Sequence, residues 1–251
     1  MDKTKLGNRM KEYENQSQTK LLRRLPVIIR VDGKAFHTFT KGLNKPFDID
    51  FCDVMKHTMK KLCQQIQGCV LAYCQSDEIT LVLVDYKNIN SDAWFDNKVQ
   101  KMVSTSAALA TLYFNQEVES KNCFSAVYFP DEENLWEKRC FKASFDSRAF
   151  NLPKHEVVNC LIWRQQDAIR NSIQALAQSR FSHNEMQGLN CDELKEKLSV
   201  EEGVHWDKLP NELQRGVCCI KDGDGNWVID YNIPLFTDER DYINNLVMLE
   251  Q

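Results

Sequence analysis

Long apolar runs are missing from this 251-residue chain, and a membrane-spanning helix needs about 20 consecutive apolar residues. The opening residues Met1 to Lys5 also lack the apolar core of a secretory leader, so the expectation is a cytoplasmic protein. Glycine (9) and proline (6) are scarce, and neither an internal repeat nor a low-complexity tract is visible. The ten cysteines include no C-x-x-C pair, which removes the usual zinc signature. Several of them (Cys69, Cys160, Cys218, Cys219) sit in apolar runs, where a reduced thiol behaves as a small hydrophobe. No glycine-rich phosphate loop of the G-x-x-x-x-G-K-S/T kind occurs. Positive charge is not in excess either: the formal net charge is -4. A polyanion would therefore be met by a local basic patch, and the most basic stretch runs from Lys3 through Lys20, Arg23 and Arg24. That stretch reads equally as a solvated leader or as a phosphate contact.

What is present centres on Val27 to Asp85. An apolar β-branched run, Val27-Ile28-Ile29, leads through Arg30 and Val31 into Asp32-Gly33. Two further strands, Val70 to Tyr73 and Ile79 to Leu83, are joined by Gln75-Ser76-Asp77-Glu78. On the pattern alone, an Asp-Gly turn and a hairpin with a polar tip is the simpler reading. The alternative is a site for two divalent cations, since hard cations take carboxylate oxygens together with substrate phosphates. Gly33 suits that alternative because a residue without Cβ allows close approach to the backbone.

Around this stretch the periodicity predicts a helix over Asp50 to Gln67, with apolar positions at Phe51, Val54, Met55, Met59, Leu62 and Ile66 and Gly68 as its stop. A second helix is expected from an N-cap at Ser91, with Lys98 and Lys101 together beside its stripe. A fourth strand is expected over Cys123 to Phe129, ended by Pro130. Strand, helix, strand, strand, helix, strand is the ferredoxin-like order, which is also that of a polymerase palm. The predicted fold is thus α+β: an antiparallel βαββαβ sheet with helices on one face. Residues 1–145 form the palm-like core with its basic arm, and 146–251 a helix-and-hairpin extension packed on it. In the extension, Phe145 to Phe150 reads as a short strand, His155 to Ala177 as a helix, and Val204 to Leu213 as loop. Asp222, Asp224 and Asn226 have the spacing of a calcium loop. Trp227 stands where glycine is required, however, so the segment is a hairpin turn.

Arg30 to His37, Lys45-Pro46, Gln75 to Glu78 and Trp163-Arg164-Gln165, taken in order, resemble the tRNA-His guanylyltransferase family of 3′–5′ polymerases. The resemblance implies two Mg2+ ions held by Asp32, the Gly33 carbonyl and Asp77, with Glu78 an acidic catalytic neighbour. It implies that Asp32, Gly33, Lys34, Ala35, Phe36, His37, Ser76 and Asp77 line the nucleotide, with Lys45 and Asp48 around its triphosphate. Arg30, Lys98, Lys101, Arg148 and Asn171 would contact triphosphate or RNA phosphates. Where the guanylyltransferases carry His-Ile-Asn-Asn, this chain has Ile169-Arg170-Asn171-Ser172. Loss of the histidine resembles the guanylyltransferase-like branch, which restores 5′ nucleotides to truncated tRNAs by templated addition. ATP or GTP would activate the 5′ end, and the family resemblance suggests a homotetramer. Two rivals remain at this level: a palm enzyme of another kind, such as a nucleotidyl cyclase, and a non-catalytic RNA-binding module.

Overall fold

The computed structural model describes residues 4–129 and 134–248. A first helix, α1 (Lys5–Gln16), precedes strand β1 (Val27–Gly33), the short α2 (Phe36–Phe39) and α3 (Ile49–Gln65). The hairpin β2 (Cys69–Gln75) and β3 (Glu78–Leu83) leads to the 30-residue α4 (Val99–Tyr128) and then β4 (Phe145–Asn151). The rest is α5 (Glu156–Gln178), α6 (His183–Met186), α7 (Cys191–Glu202), α8 (Asn211–Arg215), the hairpin β5 (Val217–Lys221) and β6 (Trp227–Asp230), and α9 (Asp241–Val247). The expected Lys3 and Pro130 features lie outside the described residues.

One six-stranded sheet in the order β4-β1-β3-β2-β5-β6, antiparallel throughout, carries the molecule. Successive side chains of a strand point to opposite faces. On β1, Val27, Ile29 and Val31 accordingly join a core with α3 and α4, while Ile28 joins a second core with α5 and α9. Strands buried on both faces read as nearly continuous apolar runs, as β2 and β3 do. Helix α3 starts where Asp48 caps it: one carboxylate oxygen accepts from Phe51 N (2.9 Å), the other from Asn44 N (3.1 Å).

Two expectations are corrected. Cys123 to Phe129 is not a strand; residues 123–128 are the last turns of α4. Its mixture of β-branched and aromatic residues continues a helix whose buried positions Met102, Ser106, Ala110, Phe114 and Val118 repeat every four residues. The apolar residues at its end, Phe124, Val127 and Tyr128, are exposed rather than packed on a sheet. The place beside β1 belongs to β4, so the βαββαβ order is completed by the segment that reads as a short strand of the extension. Nor does Ser91 cap α4. Its hydroxyl accepts from Asn88 N in a turn (3.1 Å), and positive φ at Phe95, Asp96 and Asn97 keeps the helix from starting before Val99. Both sides of the 145/146 boundary supply strands to the same sheet.

Beneath the end of β1 lies a cluster of rings: Phe36, Phe39, Phe51 and Phe145 around the fully buried Phe114, with centroids 5.3–6.2 Å from it. Tilted and edge-on contacts of this kind add to the burial of each ring. Phe114→Ala is expected to lower the unfolding free energy by about 3–5 kcal/mol, read as a lower urea midpoint at unchanged slope.

Candidate active site

The β1–β3 register brings two acidic tips together. Asp32 lies opposite Glu78, and one residue on, Gly33 N donates to the Asp77 carbonyl (3.1 Å). The β2–β3 turn consists of Ser76 and Asp77, with Ser76 at φ +50°, and its hydroxyl donates to Asp77 Oδ1 (3.0 Å). Burial pushes the Asp77 carboxyl above its ordinary range; the Ser76 bond opposes the rise and the Asp32 charge adds to it. The two carboxylates are therefore close enough to feel each other, and among the described residues nothing donates to that of Asp32. Two neighbouring carboxylates with no ion-pair partner among the described residues are a suitable donor set for hard divalent ions. No group of three or more His, Cys, Asp or Glu side chains with metal-site geometry occurs among the described residues. Any ion held here would complete its shell with water and phosphate, as Mg2+ commonly does. The missing Cβ of Gly33 is not room for a ligand: a Cβ there would sit 2.4 Å from the Phe36 ring, which fills that space.

Glu78 faces inward. Its Oε1 accepts from Arg164 Nε (2.7 Å), and Oε2 lies 3.8 Å from Arg30 Nε. Burial pushes the Glu78 carboxyl up while the Arg164 guanidinium pulls it down. Arg164 also donates to Asp167 (2.9 Å), and both Arg30 and Arg164 lie over the Trp163 ring. Trp163 is 52% exposed. Arg164 entered the sequence analysis only within the Trp163-Arg164-Gln165 fragment, with no partner assigned, since only the fold brings it to a residue 86 positions away. It fastens the hairpin tip to α5.

Two adjoining cavities flank the tips. The first (420 Å3) is lined by Gly33, Ala35, Phe36, His37, Ser76 and Asp77, all expected nucleotide contacts. Of these, Phe36 contributes mainly as core, being 4% exposed. The second (290 Å3) shares Thr40, Phe51 and Ser76 with it and brings in Lys45, Asp48 and Asn171. Asp48 is occupied as the cap of α3. Lys34 lies on the far side of α2, in a different groove. Glu212, Leu213 and Gln214 of α8 close the second cavity, a contribution absent from the reading of Val204 to Leu213 as loop. The signal was Pro210 before the segment and Gly216 after it, the usual brackets of a short helix. The buried Lys56 ties α8 to α3 through Glu212 (2.6 Å).

Lys98 and Lys101 are not brought to this site. Lys98 bridges to Lys20, Leu21 N bonds Asn97 O, and Leu22 N bonds the Asn151 side chain. Asn151 pairs with Val27, whereas Asp32 is five residues further along β1, about 17 Å at strand rise. The helix begins seven residues later than a cap at Ser91 predicts, at the opposite end of the strand. Arg148 is exposed on β4 beside Arg30 in register and pairs with Asp146 (3.3 Å).

Arg164→Met leaves Glu78 buried with Arg30 at 3.8 Å as its remaining cation, and is expected to cost about 3–5 kcal/mol in chemical unfolding. The double variant Glu78→Gln/Arg164→Met is expected to recover most of that loss.

The sequence profile of the Thg1, tRNAHis guanylyltransferase, family matches residues 7–153. A bacterial tRNA(His) guanylyltransferase (Thg1)-like protein in complex with ATP superposes with a TM-score of 0.85 at 40% identity, over 98% of this chain and 100% of that one. A bacterial Thg1-like protein in complex with GTP gives 0.77 at 38% identity, over 96% and 99%. The tRNA(His) guanylyltransferase of Debaryomyces hansenii is 26% identical over 86% of this chain and 80% of that protein. With a palm-like sheet, acidic tips at its rim and a profile match over more than half its length, the chain belongs to the tRNAHis guanylyltransferase family of nucleotidyltransferases.

Proposed function

We propose that this chain is a template-dependent 3′–5′ nucleotidyltransferase of tRNA 5′-end repair, working in the cytoplasm as a homotetramer. It would activate the 5′ end of a truncated tRNA with ATP or GTP and then add nucleotides to it. The observation that carries the reading is the pairing of the Asp32-Gly33 end of β1 with Asp77 beside a cavity that Gly33 and Asp77 line, next to a second one that shares Ser76 with it. The ATP and GTP carried by the bacterial relatives support the nucleotide chemistry, and the absent histidine before Asn171 supports the repair branch.

In the first stage an oxygen of the RNA 5′-monophosphate attacks the α-phosphorus of ATP, the bridging bond to the β-phosphate breaks, and pyrophosphate leaves. In the second, the 3′-hydroxyl of an incoming nucleotide attacks the activated 5′ phosphorus; the new phosphodiester forms, AMP leaves, and the hydroxyl gives up its proton. Such transfers are accelerated mainly by positioning and by charge stabilisation. Asp32, the Gly33 carbonyl and Asp77 would hold two Mg2+ ions, which when bound neutralise phosphate charge and favour loss of the hydroxyl proton. The chain's own contributions are distinct. Ser76 orients the Asp77 carboxylate through its 3.0 Å bond, and the Arg164–Glu78 pair keeps the hairpin tip in register with β1. Lys45 supplies positive charge at the rim of the second cavity, and Arg30 stands behind Glu78. The Ala35 to Phe39 turn and α8 wall the nucleotide from opposite sides.

Asp32→Asn and Asp77→Asn are each expected to reduce labelled-nucleotide incorporation into a 5′-truncated tRNA by at least a thousandfold, with melting temperatures within about 3 °C of wild type. Incorporation near the wild-type rate by either variant overturns the reading. The same incubation without RNA decides the cyclase rival, since cyclic nucleotide formed from NTP alone would favour it.

A further inference from the structure

A groove of 390 Å3 lies across α2 from the candidate nucleotide cavity, sharing Ala35 and Phe36 with it. Its charged lining is Lys34 and Lys41 on one wall, Lys138 and Lys142 on the other, and Arg139 beneath. Among the described residues no acidic side chain lines it, in a chain whose net charge is -4. The four lysines are exposed, while Arg139 is buried. Arg139 donates to the carbonyls of Phe39 (2.9 Å), Lys41 (2.6 Å) and Leu135. Those bonds fasten the turn after α2 to the segment before β4, so the spacing of the two walls is set by the fold.

Beside Lys142 stands Phe141, 68% exposed and at φ +58°. A bulky residue in the left-handed region is uncommon and sterically unfavourable, and such outliers cluster at functional positions. An exposed ring next to a basic track is also the arrangement on which nucleobases stack.

We propose that this groove binds the phosphate backbone of the RNA strand whose 5′ end enters the active site, with the Phe141 ring offering a face to a base. The inference rests on the nucleotidyltransferase reading above. The cations are spread along two walls outside the carboxylate cavity, as a chain of phosphates requires, whereas the nucleotide triphosphate belongs with Asp32 and Asp77 on the other side of α2. Like charge collected along one groove also steers a polyanion that the chain's net charge repels.

The test is binding of a 5′-phosphorylated acceptor-stem RNA hairpin without divalent ions, by fluorescence anisotropy between 50 and 200 mM KCl. Lys41→Glu/Lys142→Glu is expected to bind at least tenfold more weakly at 100 mM salt. Its plot of log affinity against log salt should be shallower by about 1.5, since each lost phosphate contact removes roughly 0.7–0.9. Phe141→Ala is expected to weaken binding at an unchanged slope. ATP affinity, measured separately with Mg2+, should stay within twofold of wild type in both. RNA binding by the double charge variant equal to wild type overturns the groove, as does loss of ATP and RNA affinity in the same proportion. If the wild type extends RNA while the charge variant binds it normally, the groove alone is overturned. If the wild type binds the hairpin in a salt- and lysine-dependent way but never extends RNA, the groove stands and the nucleotidyltransferase reading falls.

Discussion

The antiparallel pairing of β1 with β3 is the constraint on which the site depends. A shift of one residue would turn every side chain of β1 to the other face. Ile29 and Val31 would leave the core under α3 and α4, and Asp32 would enter it. The two fully buried faces thus lock the register, and the register in turn sets Gly33 N against the Asp77 carbonyl at the rim. Two acidic side chains are held near each other by the packing of apolar ones several residues away. The cost of holding Asp77 there shows in its raised proton affinity, which comes chiefly from burial, with the Asp32 charge adding to it.

Residues after β4 are part of this arrangement. Helix α5 sends Arg164 to Glu78, and Gln165 beside it accepts from Phe236 N and donates to Pro234 O. A single turn of α5 therefore joins the hairpin tip to the segment before α9. Helix α8 closes the second cavity and is anchored by Lys56 and by the Ser172 bond to Leu213 O (2.6 Å). Gly216 follows α8 at φ +79°, where a Cβ would meet the Cys74 carbonyl at 2.5 Å. The glycine lets β5 join β2 directly behind the cavity wall.

Much of this was legible in the chain because it is written in short periods. The β-branched run ending in Asp32-Gly33, the four-residue tip Gln75 to Glu78 and the helical spacing from Phe51 to Ile66 each follow from local geometry. The end of α4 was not, because the exposed Phe124, Val127 and Tyr128 imitate strand composition where no sheet receives them. Lys98 and Lys101 stand at the start of α4, at the other end of β1 from Asp32, because the helix begins at Val99 and not after Ser91. The Arg164–Glu78 pair and the basic groove join residues far apart in sequence, and no local pattern announces them. The family resemblance pointed to the acidic tips, while the tertiary fold alone supplied the clasp behind them.

The central claim is that Asp32 and Asp77 act as one cation-binding unit. Electron paramagnetic resonance of Mn2+ titrated into the protein with ATP measures it directly. The account predicts that Asp32→Asn and Asp77→Asn each weaken Mn2+ binding by at least tenfold, and that the double variant loses little more than either single one. Full-strength Mn2+ binding by Asp77→Asn, or independent and additive losses from the two positions, would contradict it.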